Sequence, residues 1–191
     1  MKIILLAAAK EEINPADFSD FELHYSGVGK INAAFKTFEL ITTIKPDLII
    51  NIGTSGVLKP DLVGKVHEIG CVIERDAMCE PLSERGTFPF DNSPKEFKIH
   101  KNSVKLATGD SLVISNDPWL VLNKVDLVDM EFFAIAKVSF KLKVPALALK
   151  FGSDFADQNA HTDWSNSLKI ASKQIARTLP YFLESYAAQI N

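Results

Sequence analysis

Apolar residues fall into two kinds of pattern along the chain. Short unbroken blocks of β-branched and aliphatic residues alternate with stretches in which apolar positions recur every third or fourth residue. A short continuous apolar run reads as a strand buried on both faces, and a 3.6-residue period reads as a helix. Residues 2–8 form the first such block, and Phe21 to Ser26 gives a second strand. Lys30 to Thr43 reads as a helix: Ile31, Phe35, Phe38, Leu40 and Ile41 are expected roughly on one face, and Ala33-Ala34 favours helix. Pro46 bars its continuation, and Asp47 to Ile52 is a buried strand. Lys65 to Arg75 is another, led in by Gly64.

The pattern breaks over residues 76–103, which are polar and carry Pro81, Gly86, Pro89 and Pro94, with Phe88 and Phe90 embedded. A loop of that length in a compact domain is often a functional lid. Val104 to Ala107 is a short strand ending at Thr108-Gly109-Asp110, and Lys124 to Val128 is a strand feeding a helix from Glu131 to Phe140. Val144 to Lys150 is a strand again, and Ser167 to Ala188 is a long amphipathic helix that Pro180 kinks or splits. Strands alternating with helices predict one α/β domain over residues 1–191, a twisted, mostly parallel sheet flanked by helices.

Composition narrows the picture. The chain has 191 residues, 47% hydrophobic and 24% charged, which is ordinary for one soluble globular domain. A net charge of -3 with dispersed Lys and Arg argues against nucleic acid as a partner. No stretch reaches the ~18 apolar residues of a membrane span, so no membrane partner is expected. Met1 to Ala9 reads as a buried strand rather than a leader, because Lys10-Glu11-Glu12 follows at once. Cys71 and Cys79 match no CxxC or zinc spacing, so we expect two reduced thiols in a cytoplasmic protein, with no metal and no cofactor.

Chemistry concentrates where strands end. In open α/β sheets ligands sit at the carboxyl ends of strands. There stand Asn51-Ile52-Gly53-Thr54-Ser55-Gly56, Met130-Glu131 and Gly152-Ser153-Asp154. Successive N–H groups and hydroxyls in the first string form either a structural turn or a nest for an anion or polyol. Glu131 at a helix start is either a dipole partner or a carboxylate for two vicinal hydroxyls. Asp154 is either an N-cap or, if apolar neighbours such as Phe155 raise its pKa, a general acid. Lys150 either snorkels to the surface or pairs with a site carboxylate. Glu11-Glu12 either opens a helix as a dipole pair or overlooks the cleft and orients water. His161 and Trp164 lie close in sequence. Ser26 to Ala34 is a strand–Gly turn–helix unit that lacks the third Gly of a dinucleotide fingerprint.

Taken in order, Ala8 to Glu12, Ser26 to Ala34, Ile50 to Leu58, Thr108 to Ser111, Val128 to Ala136 and Lys150 to Asp157 resemble the nucleoside phosphorylase/nucleosidase superfamily. The likeness is nearest to its 5′-methylthioadenosine/S-adenosylhomocysteine nucleosidase branch. It implies hydrolysis of a purine nucleoside, which is the small-molecule partner, by a homodimer. Asp154 would protonate purine N7, and Glu12 would orient and deprotonate water. Glu131 would hold the ribose diol, with Met130 beneath the sugar. Thr54, Ser55 and Gly56 would line the ribose and water side, and backbone near Leu112 and Val113 would read the base. Ser153 would steady Asp154, and Lys150 would join the binding site. Leu112 replaces the base-stacking Phe usual in bacterial members, and Lys150 replaces their Arg; plant-type members resemble this chain at both points. Phe88 and Phe90, in a loop expected to close the 5′ side, are interface candidates. The chain has three arginines, Arg75, Arg85 and Arg177, none near the glycine loops, and a carboxylate at Glu12 repels phosphate. Hydrolysis is therefore expected over phosphorolysis. A futalosine hydrolase-type nucleosidase and a catalytically silent nucleoside-binding protein remain alternatives.

Overall fold

The computed structural model describes residues 1–102, 104–113, 117–155 and 160–190, without the side chains of 160–166 and 190. Among the described residues nine strands form one sheet, with the main path β2-β1-β3-β8-β7-β5-β6 and with β9 joining β3 to β4. The strands are β1 (Ile3–Ala7), β2 (Glu22–Tyr25), β3 (Leu48–Val57), β4 (Val66–Glu68), β5 (Cys71–Glu74), β6 (Glu96–Lys98), β7 (Lys105–Thr108), β8 (Leu127–Asp129) and β9 (Ala146–Phe155). Four helices accompany them: α1 (Lys30–Ile44), α2 (Pro118–Leu122), α3 (Phe132–Leu142) and α4 (Ala160–Ile190). Pairing is parallel except for β3 with β8, β4 with β9 and β5 with β6. No helix among the described residues is long and apolar enough to cross a membrane.

The central strands are apolar on both faces because both faces are covered. Side chains alternate across a strand, so Ile4, Leu6 and Ile49 enter one core with Leu40, Phe132 and Ile135 of α1 and α3. Leu5, Ile50 and Ile52 enter the other with Ala171, Ile175, Leu179 and Phe182 of α4.

Two strands run further than their apolar blocks. β3 continues through Gly53-Thr54-Ser55-Gly56 to Val57, and β9 through Gly152-Ser153-Asp154 to Phe155. They pair with each other along that whole length, with a register shift between Ser55 and Gly56. The glycine strings are thus not turns; the ladder uses their backbone groups, and polar side chains project from strands. On its other side β3 pairs first with β1, at Leu48 to Asn51, and then with β8, at Gly56 and Val57. This exchange of neighbours opens the sheet at the strand ends.

Other expectations need correction. The strand expected over Lys65 to Arg75 divides at Ile69-Gly70, where the chain leaves β9 and joins β7. On α1, Ala33, Thr37, Leu40 and Ile41 are buried. Ile31, Phe35 and Phe38 are 81%, 71% and 52% exposed. The helix carries two apolar stripes, and the one with the small residues packs inward beside α3. α2 has a clear start that the apolar pattern hides: Asp117 accepts from Trp119 N at 2.9 Å, and Pro118 occupies the first turn. Pro180 does not split α4, which continues across it. Lys10-Glu11-Glu12 forms a turn, not a helix start.

Candidate active site

A cavity of about 290 Å³ lies where β3 changes neighbours. Thr54, Ser55 and Gly56 of β3 and Ser153 and Asp154 of β9 line one side; Met130 and Glu131 stand on another. Ala8, Ala9 and Glu12 come from the end of β1, and Arg75, Ser111, Leu112 and Val113 from the ends of β5 and β7. Every residue assigned to the site from the sequence lines this cavity except Lys150. His161 and Trp164 fall outside the described side chains.

Glu12 is brought in by the turn after β1, where its N–H donates to Ala9 O at 3.3 Å. Its carboxylate accepts from Ala9 N at 3.2 Å, Thr54 N at 3.2 Å and Thr54 Oγ1 at 2.5 Å. Gly53 permits that approach. It has φ of 155°, and a Cβ there would stand 3.4 Å from Glu12 Oε1. Glu12 is 7% exposed and fixed by three donors.

Glu131 sits at the start of α3 and reaches back to α1, where Gly29 N donates to its Oε1 at 3.0 Å. Burial, and then the negative charge of Asp129, push its carboxyl up to about 7; Lys150 and the Gly29 N–H pull the other way, and Glu12 adds to the rise. Beside it in the cavity wall, Asp129 collects Lys150 Nζ at 2.8 Å, Thr108 Oγ1 at 2.5 Å and Phe132 N at 3.0 Å. Lys150 therefore does not snorkel, and it does not line the cavity itself; it pairs with Asp129, a carboxylate of the cavity wall.

Asp154 projects from β9 and is 7% exposed. Ser153 Oγ lies 2.5 Å from Asp154 Oδ2 and 3.2 Å from Ser55 O. The Ser153 hydroxyl donates to both, shared between the Asp154 carboxyl group and the strand carbonyl.

The sequence reading missed Arg75. It lies far from the glycine loops in sequence, but β5 runs beside β7 and delivers it to Gly109 and Ser111. Its guanidinium donates to Gly109 O at 2.9 Å and Ser111 Oγ at 3.1 Å, and also to Ser111 O. It lies so flat on Gly109 that a Cβ there would be 2.8 Å from Arg75 Cγ. The signal was available: Glu74-Arg75-Asp76 closes an apolar strand, the position that marked the other site residues. Asp129, next to Met130-Glu131, was passed over likewise. The long loop was misplaced. No described residue from 76 to 102 lines the cavity, and Phe88 and Phe90 are 44% and 102% exposed away from it. Arg85 Nε instead ties the loop to Arg75 O at 2.7 Å.

The molecule is thus an α/β protein that gathers buried carboxyl groups in unlike hydrogen-bond settings around one cavity at the carboxyl ends of its strands. A family model described as the phosphorylase superfamily matches residues 75–184. The 5′-methylthioadenosine/S-adenosylhomocysteine nucleosidase of Buchnera aphidicola subsp. Acyrthosiphon pisum (strain Tuc7) is 30% identical over 192 residues, covering 87% of this chain and 81% of that one. The chain belongs to the phosphorylase superfamily. Its fold is shared with two solved structures, each 21% identical over 96% of this chain. One is the native futalosine hydrolase of Helicobacter pylori strain 26695, with a TM-score of 0.87 and 97% of that chain covered. The other is the Helicobacter pylori 5′-methylthioadenosine/S-adenosylhomocysteine nucleosidase with butyl-thio-DADMe-Immucillin-A, with a TM-score of 0.85 and 98% covered.

Proposed function

We propose that the protein is a purine nucleosidase that hydrolyses the N-glycosidic bond of 5′-methylthioadenosine or S-adenosylhomocysteine to the free base and a ribose derivative. One observation carries the reading: Glu12, Glu131 and Asp154, each at most 7% exposed, face a single cavity. They do so in a chain that covers 81% of a relative with that activity in its name.

Cleavage passes through an oxocarbenium-like state, so the leaving purine must be neutralised while a nucleophile waits opposite. Asp154 gives its proton to N7, with Ser153 holding the carboxyl through its hydroxyl. Glu12, braced by Thr54, orients a water and takes its proton. Glu131 accepts from the two ribose hydroxyls, Met130 packs beneath the sugar, and Ser55 and Gly56 complete the ribose side. Backbone at Leu112 and Val113 meets the base edge, on a loop braced by Arg75. Hydrolysis is favoured over phosphorolysis because Nη1 and Nη2 of Arg75 are engaged by Gly109 and Ser111, while Glu12 repels an anion.

By the same reading the protein is a cytoplasmic homodimer. The exposed stripe of Ile31, Phe35 and Phe38 on α1 supports the pairing, and the unbridged Cys71 and Cys79 support the compartment. Sedimentation should give a dimer that Phe35→Glu dissociates; a monomeric wild type at micromolar concentration contradicts the pairing.

The activity is tested by incubating the protein with 5′-methylthioadenosine, S-adenosylhomocysteine, inosine and futalosine, with and without phosphate. Release of adenine from the first two without phosphate is expected. Preference for futalosine moves the protein to that hydrolase class, and dependence on phosphate moves it to the phosphorylases. Tight binding with no base released makes it a silent binder.

A further inference from the structure

An ion cluster outside the reaction space ties the start of α1 to two strand ends. Lys30 Nζ lies 2.6 Å from Glu74 Oε1, 2.6 Å from Asp76 Oδ1 and 4.0 Å from Asp110 Oδ2. The Lys30 N–H donates to Asp110 Oδ1 at 2.7 Å, and the Asp110 N–H donates to Asp76 Oδ2 at 2.7 Å. The Lys30 and Glu74 side chains are 18% and 6% exposed, so solvent screens this contact less than it screens a surface pair.

One residue before Lys30, the Gly29 N–H makes the bond to Glu131 Oε1 at 3.0 Å. Gly29 has φ of 96°, and a Cβ there would stand 3.2 Å from Asp110 Oδ1. The turn therefore needs glycine, and glycine alone does not hold a direction. The direction must come from the neighbouring peptide, which the Lys30 cluster clamps on both its backbone and its side chain.

We propose that Lys30 is a positioning residue: through Glu74, Asp76 and Asp110 it keeps the Gly29 N–H on the Glu131 carboxylate and so holds Glu131 for the ribose hydroxyls. This rests on Glu131 being the diol ligand. The groups facing Glu131 are Asp129 from β8, Lys150 from β9, Glu12 from the turn after β1, and the Gly29 N–H from α1. Lys150 and the Gly29 N–H favour the charged carboxylate; the two acidic groups oppose it. Lys150 is bonded to Asp129, which leaves Gly29 as the direct donor among the described residues. Loosening it raises the pH at which Glu131 loses its proton.

The test compares wild type, Lys30→Met and Lys30→Arg on 5′-methylthioadenosine and on its 3′-deoxy analogue. Lys30→Met should raise KM for the ribo substrate roughly tenfold or more, the scale of a hydrogen bond to a charged group, with a smaller change in kcat. The 3′-deoxy analogue should respond much less. The acid limb of kcat/KM should move to higher pH, and Lys30→Arg should recover most of the loss. If Lys30→Met does not fold, Asp76→Asn keeps a backbone acceptor, removes one charge and carries the same expectations. Equal changes on both substrates, or an unmoved acid limb in a folded variant, overturn the proposal. A wild type that releases no base from either substrate is a separate result; it overturns the functional reading, and this proposal with it.

Discussion

Lys150→Met leaves Asp129 buried without its cation. The two side chains are 2% and 1% exposed with Nζ 2.8 Å from Oδ2. Burial alone pulls the Lys150 ammonium toward neutrality, but Asp129 and then Glu131 more than reverse this, and its pKa lies above the ordinary lysine value. In the variant, Asp129 keeps, among the described residues, the Thr108 hydroxyl and the Phe132 N–H, beside a second carboxyl at Glu131. Methionine fills most of the lysine stem, so little of the cost is cavity. Breaking a buried pair from one side costs roughly 3–5 kcal/mol, against a total stability of roughly 5–15 kcal/mol. At about 2–4 °C per kcal/mol for a chain of this size, Tm should fall by roughly 6–20 °C. Urea unfolding followed by circular dichroism at pH 7 measures the loss directly. Lys150→Met/Asp129→Asn should recover at least about 1 kcal/mol, because the amide removes the stranded charge and keeps an acceptor. A lysine pKa raised by folding contributes stability that is present below the unfolded value of about 10.4 and is lost as pH rises through the folded value. The ion pair's own contribution should therefore be lost only above about pH 10.4, while the difference between wild type and Lys150→Met should widen as pH rises through about 7, because losing the ammonium pushes the Glu131 carboxyl further up. A cost below about 1 kcal/mol, or a double variant no better than the single, would refute the reasoning.

Glu131→Gln should separate stability from function. Its carboxyl is raised from 4.5 to about 7, so the wild type gains from the bound proton at low pH and loses that gain as pH climbs through 7. At pH 8 the variant should be the more stable by roughly 3 kcal/mol, at about 1.4 kcal/mol per pH unit; at pH 4 the advantage should vanish in the same urea assay. Its KM for the nucleoside should nevertheless rise, because the diol contact exists in the ground state. Gly152→Ala should cost roughly 1–3 kcal/mol by overpacking. Its Cβ would lie 2.7 Å from both Leu62 O and Val57 Cγ2, and a variant unfolding at the wild-type urea midpoint would contradict that contact.

The parts of this fold legible in the sequence are those where burial is two-sided. Ile3 to Ala7, Leu48 to Ile52 and Ala146 to Phe151 stand between two helical layers, and a continuous apolar block is the direct mark of that position. The same blocks located the cavity, since each is followed by the polar residues that project into it. Sequence pattern could not show how far the strands run. Gly53 to Gly56 and Gly152 to Asp154 look like turns, but each strand is the other's partner and the ladder carries both onward. Nor could it choose between the two apolar stripes of α1, since only packing beside α3 selects the small residues Ala33 and Thr37 over Phe35 and Phe38. Arg75 was hidden, and Lys150 stood open between snorkelling and pairing with a site carboxylate, for a shared reason. A charged residue at the end of an apolar strand has no meaning until its partner is known, and the partners, Gly109 with Ser111 and Asp129, lie on other strands.

The central claim is that Asp154 delivers the proton that releases a purine to water. The decisive measurement compares wild type and Asp154→Asn in phosphate-free buffer with 5′-methylthioadenosine, following adenine release. The amide keeps the shape and hydrogen bonding of the carboxyl but gives up no proton readily, and general acid catalysis is worth about 10²–10⁴-fold. Wild type should release adenine, and the variant should lose at least about 100-fold in kcat with KM little changed. Near-wild-type turnover in Asp154→Asn would place the acid elsewhere and contradict the account at its centre.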